Sequence, residues 1–143
     1  MTEPDPLHPP LIVRRVIPIP REQVFDAWLD PKRLARFMRP RDVGHTTAEV
    51  DARVGGRFRI VMHHKGVPVE HTGEYLLIDR PARLSFTWRS VHTDGQPTTV
   101  TIDFLERGGG TEVVLTHTQL PAREVDSHRK GWSDILHALS GEP

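Results

Sequence analysis

Two histidines are the side chains of this sequence best suited to chemistry, because histidine changes charge near neutral pH and can orient a ligand or move a proton. His117 falls on the apolar side of an alternating segment, and His128 falls on the apolar face of the last amphipathic segment. A single histidine on an apolar face is more often a hydrogen-bonded structural residue. A functional and a structural interpretation of the pair therefore both stay open.

The spacing of the other histidines does not favour a metal site. His63 and His64 are adjacent in a predicted strand, so they point to opposite faces, and only His64 shares the side of Phe58. His128 and His137 are nine residues apart on one predicted helix, about half a turn out of phase. With no cysteine and no HxxxH spacing, we predict neither a metal nor a cofactor.

No nucleophile stands in a recognisable catalytic context. The Gly-x-Ser-x-Gly pattern is missing, and the glycine run 108–110 lies between two predicted strands instead of before a helix, which does not fit a phosphate-binding loop. Glu49, Asp51, Glu74 and Asp103 alternate with apolar residues and are expected on a solvated face. The sequence therefore predicts no catalytic residues and favours a protein that is not an enzyme.

Length and composition are those of one domain. The 143 residues carry nineteen basic and nineteen acidic side chains, so the long-range field that attracts nucleic acid is absent and nucleic acid is not expected as a partner. Residues 1–10 are rich in proline without an apolar run, which predicts a disordered lead-in and neither a secretory leader nor a membrane span. The domain is expected over 11–143, in the cytoplasm.

The hydrophobic pattern predicts mixed α and β structure in a fixed order. A β-branched run from Leu11 to near Pro18 predicts a first strand, and an apolar stripe between Pro20 and Leu29 predicts a short helix. Asp30 and Pro31 are a cap and a first helical residue, so a second short helix is expected after them. From about 45 to 119 the period changes to two, with frequent turns, which predicts a six-stranded meander.

The strands of the meander are apolar on one side, so they require a cover. The segment 121–139 has an apolar face at helical spacing and is predicted to be a long helix that supplies this cover. Within it, Gly131 predicts a close approach of helix and sheet. The residues expected on the inner face of the sheet are Phe58, Ile60, Met62, Tyr75, Leu77, Leu84, Phe86, Trp88, Val100, Ile102, Phe104, Val113, Leu115 and His117.

Several motifs in this order resemble one family. They lie at 24–31 (VFDAWLDP), 51–58 (DARVGGRF), 73–81, 84–88 (LSFTW), 99–101, 110–113 and 128–132. Together they are similar to the START-like, or SRPBCC, superfamily, and within it to the branch named after the activator of the heat-shock-protein-ninety ATPase, whose bacterial members are mostly single domains. The resemblance implies an α+β helix-grip fold, also described as START-like or birch-pollen-allergen-like, with a seven-stranded antiparallel sheet curved around a long C-terminal helix and two short helices after the first strand.

The resemblance also implies a groove between the sheet and the last helix, used in the superfamily for lipid-, polyketide- or aromatic-like molecules. The expected function is therefore non-catalytic binding of a small apolar ligand in a hydrophobic cavity. The residues expected to line that cavity are Phe25, Trp28, Phe37, Phe58, Ile60, Met62, Tyr75, Phe86, Trp88, Ile102, Phe104, His117, His128 and Trp132.

Two alternatives remain from the sequence. One is a cyclase- or hydratase-like enzyme that uses His117, His128 or Tyr75 as acid and base. The other is a protein-interaction module, either a chaperone cofactor or a homodimer formed through an exposed strand or helix end. In the eukaryotic activator a separate N-terminal domain contributes to chaperone binding, and 143 residues leave no room for it, so the sequence favours ligand binding over chaperone activation.

Overall fold

The computed structural model describes residues 9–141, so most of the predicted lead-in lies outside the described residues. Two single-turn 3₁₀ helices are also present, at Val91–Thr93 and Ala122–Glu124. The strands and α-helices of the described part are β1 (Leu11–Ile17), α1 (Arg21–Ala27), α2 (Pro31–Phe37), β2 (Val43–Val50), β3 (Arg57–His64), β4 (Val67–Asp79), β5 (Arg83–Trp88), β6 (Thr98–Arg107), β7 (Gly110–Thr118) and α3 (Val125–Leu139).

The seven strands form one antiparallel sheet in the order β1-β7-β6-β5-β4-β3-β2. The meander runs in sequence from β2 to β7, and β1 then pairs with β7, from Leu11 opposite His117 to Ile17 opposite Thr111. The sheet curls into a half-barrel, with α3 packed against β1 and α2. This arrangement confirms the predicted helix-grip fold. No helix of the described residues is long and apolar enough to cross a bilayer.

The two short helices follow the predicted capping chemistry. The side chain of Asp30 accepts hydrogen bonds from the backbone N–H of Lys32 at 2.9 Å and of Arg33 at 3.4 Å, and Pro31 occupies the first turn of α2. The first helix ends at Ala27, and Trp28 is its C-terminal cap, so Trp28 lies at the junction of the two helices. This junction directs the Trp28 side chain into the core, where it is 2% exposed.

Alternation predicted the inner face of the sheet with one error. All the predicted inner residues are buried except Leu77, which is 40% exposed. A β-bulge lies between Tyr75 and Leu77, where β4 has one residue more than β5 opposite it, so Leu76 and Leu77 are both exposed. The inward prediction for Leu77 is therefore wrong, because strict alternation does not survive a bulge.

Gly131 does not mark a close approach of helix and sheet, and that prediction is also wrong. A Cβ built on Gly131 would meet only the Cβ of Pro40, at 4.0 Å. The glycine that close packing does require is Gly73 in β4, where a Cβ would clash with the carbonyl oxygen of Thr87 and the ring of Phe58. Because Gly131 has no side chain, α3 presents only backbone at this position, and the helix does not lie closer to the sheet there.

These two glycines give opposite predictions. Replacing Gly131 by alanine is expected to raise the free energy of unfolding by about 1 kcal/mol. Alanine is more favourable than glycine inside a helix, and the new methyl group would lie at an ordinary contact distance, 4.0 Å, from Pro40. Gly73→Ala is expected to lower the free energy of unfolding by about 1–3 kcal/mol through overpacking. Urea denaturation of both variants measures the two changes. A loss of stability in Gly131→Ala would show that α3 is packed more tightly there than the structure has it.

Candidate functional site

An opening lies between α3 and the inner face of the sheet and has a volume of about 110 Å³. We call it the α3 opening. Its walls are apolar on β3, β5 and α3, and histidines from β3, β4, a 3₁₀ turn and α3 also line it. The residues that define it are Pro40, Met62, His64, His71, Trp88, His92, Glu124, Ser127, His128, Gly131, Trp132 and Ile135.

Aromatic rings fill most of the space behind the α3 opening. The ring centroids of Trp88 and Trp132 are 5.0 Å apart, and those of Trp28 and Trp132 are 6.4 Å apart. The ring of Phe58 lies 6.0 Å from that of Trp88 and 5.3 Å from that of Phe86. Only about 10 Å³ remains free among Trp28, Leu34, Met38, Phe58, Ile60, Tyr75, Phe86 and Trp88. Trp88 borders both this interior void and the α3 opening.

The structure divides the predicted site residues into three groups. Met62, Trp88, His128 and Trp132 line the α3 opening. Trp28, Phe58, Ile60, Tyr75 and Phe86 surround the interior void, together with Trp88. The remaining predicted residues line neither space and are buried, namely Phe25, Phe37, Ile102, Phe104 and His117.

Packing explains the third group. The rings of Phe25 and Phe104 meet edge to face at 5.1 Å, and Phe37 meets Trp28 edge to face at 5.0 Å. These are favourable contacts of a filled core. His117 lies behind Trp132, with ring centroids 5.9 Å apart. Part of the interior is therefore a filled core that borders neither the α3 opening nor the interior void.

Sequence reasoning missed several residues of the α3 opening. His71 follows the same alternation as Gly73 and Tyr75, so extending the pattern of β4 backwards would have placed it on the inner face. His92 lies in a 3₁₀ turn and Glu124 at the end of another, where no periodicity exists to place a side chain. Their position depends on how the loops fold back over the sheet.

A buried chain of hydrogen bonds fixes His117. The indole Nε1–H of Trp132 donates to Nδ1 of His117 at 3.0 Å. Because Nδ1 accepts, the ring proton is on Nε2, which donates to Oγ1 of Thr98 at 2.7 Å. The Thr98 hydroxyl in turn donates to the carbonyl of Trp88 at 2.6 Å. Every polar atom of the imidazole is satisfied, which is the structural interpretation of this histidine.

Burial and its neighbours keep His117 neutral. Burial, with a smaller contribution from His128, lowers the pKa of His117 to about 3. Protonation would also place a proton on the nitrogen that accepts from Trp132. His117 is thus a poor general acid or base near neutral pH, because such a group works best with a pKa near the working pH.

His128 and His71 border the opening in different ways. Nδ1 of His128 donates to the backbone carbonyl of Glu124 at 3.0 Å, and its ring meets that of His117 edge to face at 5.4 Å. The ring of His71 lies 4.9 Å from that of Trp88. Burial lowers the pKa of both His71, to about 4, and His128. Both histidines are therefore neutral near neutral pH.

Three buried ring nitrogens around these spaces form no hydrogen bond. They are Nε1 of Trp28, Nε1 of Trp88 and Nδ1 of His71. The side chains are 2%, 2% and 5% exposed respectively, so bulk water does not reach them freely. Buried polar atoms without a partner are rare in native proteins. Among residues 9–141, no three histidine, aspartate or glutamate side chains are placed to hold a metal ion.

The fold and its opening define a helix-grip domain of the START-like class. Residues 18–142 match the family model described as activator of Hsp90 ATPase homolog 1-like protein. The chain belongs to this family. A protein from Chromobacterium violaceum is similar over 94% of this chain and 97% of its own, with 25% identity and a TM-score of 0.83.

Two further solved structures and one curated relative are similar. An AHSA1-like protein from Aeromonas hydrophila has 30% identity and a TM-score of 0.74, over 92% of this chain and 89% of its own. An HSP90 activator from Plasmodium falciparum has 25% identity and a TM-score of 0.72, over 91% and 92%. The mouse activator of 90 kDa heat shock protein ATPase homolog 1 is 28% identical over 89 residues, which are 62% of this chain. The chain spans only 25% of that relative's length.

The neutral state of His117 predicts how stability changes with pH. Between about pH 6.5 and about pH 3 the unfolded chain binds a proton at this position that the folded chain does not, so stability falls as the pH is lowered through this window. His117→Gln provides a carbonyl acceptor and an N–H donor but does not titrate. The variant is expected to lose less stability than the wild type between pH 7 and pH 5, by up to about 1.4 kcal/mol per pH unit.

Urea unfolding of both proteins at the two pH values measures this difference. His71 and His128, whose pKa values burial also lowers, likewise bind a proton on unfolding over part of the window, and they do so in both proteins. Equal losses in the wild type and the variant would mean that His117 is already protonated in the folded state, contrary to the hydrogen-bond chain.

Proposed function

We propose that this domain binds a small apolar molecule at the α3 opening, without acting on it chemically. The observation that carries the proposal is the opening itself, a space of about 110 Å³ lined by apolar side chains and histidines in an interior that is otherwise filled. Ligand sites are concave, mostly apolar and supplied with a few polar groups. Met62, Trp88, Trp132 and Ile135 provide apolar wall, and His71 and His128 provide polar atoms.

The size of the opening limits what enters it. A cavity of about 150 Å³ lined by apolar side chains holds one benzene molecule. The α3 opening, at about 110 Å³, accommodates a ring or short chain of comparable or smaller size. A larger ligand would place one end in the opening and leave the remainder at the surface, or would displace Trp88, which separates the opening from the interior void.

Gly131 gives the helix side of the opening its shape. A Cβ on Gly131 would have only Pro40 within 4.0 Å, and the other residues of α3 that line the opening are Ser127, His128, Trp132 and Ile135. Glycine is unfavourable inside a helix, by about 1 kcal/mol relative to alanine. A ligand that contacts bare helix backbone accounts for its presence where packing does not.

A bulky side chain at position 131 tests the location of the site. Gly131→Leu fills the bare part of the opening and is expected to reduce the affinity for apolar ligands at least tenfold while leaving the domain folded. Ser133→Leu is the matched control, because it adds the same side chain to an exposed position of α3. Both variants and the wild type are screened by thermal shift against a library of small aromatic and aliphatic compounds.

Two outcomes of that screen contradict the proposal. If no compound stabilises the wild type, the opening does not bind small apolar molecules. If Gly131→Leu and the wild type are stabilised equally by the same compounds, ligands bind somewhere other than the α3 opening.

Family membership supports a second candidate function, as a partner of an Hsp90-type chaperone. The mouse relative is described as activator of 90 kDa heat shock protein ATPase homolog 1, and the Plasmodium falciparum protein is described as an HSP90 activator. The structural similarity to the second of these proteins extends over 91% of this chain. This function requires a protein-binding surface and does not require the α3 opening.

Chaperone activation is tested directly by an ATPase assay. The domain is added to a purified Hsp90-type chaperone at increasing ratios, and the rate of ATP hydrolysis is followed. A rate increase that saturates with the domain, and that Gly131→Leu leaves unchanged, would favour the chaperone function. An unchanged rate together with no detectable association would reject it.

A further inference from the structure

Two histidines face each other on the outer side of the sheet, at the edge formed by β2. His45 of β2 is the antiparallel partner of His63 of β3, and β2 is the last strand of the sheet on that side. Their ring centroids are 5.2 Å apart, with 45° between the ring planes. We call these two residues the edge pair. Because they lie on different strands, spacing along the sequence does not reveal them, and only the register of β2 on β3 brings them together.

The separation of the edge pair is that of two imidazoles that share one metal ion. Directly opposite residues of an antiparallel pair have Cβ atoms about 4.5–5.5 Å apart, which keeps both rings within reach of one point between them. An ion bound at about 2.0–2.1 Å to one nitrogen of each ring, at angles between square-planar and tetrahedral, places the ring centroids about 4.5–5.2 Å apart. The observed 5.2 Å lies within this range.

Both side chains are free to adopt the orientation that an ion requires. His45 is exposed and His63 is half-buried, and χ2 of histidine has only broad preferences. Rotation about χ2 therefore turns a nitrogen of each ring towards the shared point without repacking the core. Residue 64, the next along β3, lines the α3 opening on the inner side, so the edge pair lies on the opposite face of the sheet.

The surroundings of the edge pair leave room for the remaining ligands of an ion. The pair lines a surface depression of about 360 Å³. Asp42 and Lys65 line it too, and both are exposed, so one negative and one positive charge balance there. Within residues 9–141 no third histidine, aspartate or glutamate is placed to complete a metal site. An ion at the edge pair would therefore have two protein nitrogens, with water in its other positions.

We propose that the edge pair binds one divalent transition-metal ion, Cu(II) in preference to Ni(II) and Zn(II), through one nitrogen of His45 and one of His63. Imidazole is a good ligand for all three metals, and the affinity of a given site rises from Mn(II) to Cu(II) and falls again at Zn(II). With only two protein ligands the site imposes no geometry of its own, so this intrinsic order decides. The site is separate from the α3 opening and does not depend on the proposed function.

Metal titration of the full chain, purified without a histidine tag, tests the site. Isothermal titration calorimetry at pH 7.5 gives the dissociation constants of Cu(II), Ni(II) and Zn(II). His45→Gln and His63→Gln are each expected to weaken Cu(II) binding at least about tenfold, since loss of even an outer-shell partner costs about 10–100-fold in metal affinity. His137→Gln is the matched control and should bind within about twofold of the wild type. It removes an exposed histidine of α3 that contacts Arg15 in the opposite edge strand, β1.

A double variant shows whether the two rings act together. Once one ring is lost, the other holds the ion as a single ligand, so the variant with both substitutions should bind little more weakly than either single variant. Electron paramagnetic resonance of the wild type, loaded with less than one equivalent of Cu(II), should show coupling to two ligand nitrogens. Thermal unfolding confirms that the variants fold, and the wild-type spectrum decides the question if one does not.

Several results overturn the inference. Absence of Cu(II) binding to the wild type does so, as does equal binding by the wild type and either single variant. Losses that simply add in the double variant would mean that each histidine binds independently. A loss in His137→Gln as large as those in the single variants would place the ion elsewhere, and tighter binding of Zn(II) than of Cu(II) would contradict the proposed preference.

Discussion

The hydrogen bond from Trp132 to His117 determines how the last helix sits on the sheet. It joins α3 to β7 over 3.0 Å, and both side chains are almost fully buried, at 2% and 1% exposed. A shift of α3 by one turn would leave an indole N–H and an imidazole nitrogen without partners, each at the cost of an unsatisfied buried group, about 1–3 kcal/mol. The helix therefore has one favoured position, and Trp132 is held against Trp28 and Trp88.

The position of α3 explains why the space under it is small. With Trp132 fixed, the three tryptophans and Phe58 fill the region in which a continuous groove was expected, and about 10 Å³ remains there. The space that remains under α3 borders Gly131, where the helix has no side chain. Protein interiors pack densely wherever large side chains are available. The missing side chain at position 131 therefore contributes to the α3 opening.

Periodicity predicted the fold well because each strand and helix has one buried face. The alternation of β5, β6 and β7 placed Phe86, Ile102 and Leu115 correctly, and the amphipathic pattern of the last segment placed Trp132. The failures occur where geometry departs from the period, at the β-bulge before Leu77 and at Gly131. The candidate site was harder to predict from the sequence than the fold, because the amount of free space depends on how side chains from distant segments pack together. His92 and Glu124 reach it from turns, whose positions no pattern encodes.

The same burial that makes the histidines poor catalysts leaves them able to form hydrogen bonds as neutral groups. Transfer out of water disfavours the charged form, which lowers the pKa of His117 to about 3 and of His71 to about 4. An acid–base enzyme requires groups that change protonation during turnover, and these do not near neutral pH. In the same environment of low dielectric constant, however, a hydrogen bond to a neutral donor is stronger than in water. His117 accordingly acts as a neutral hydrogen-bonding group between Trp132 and Thr98, and it does so without moving a proton.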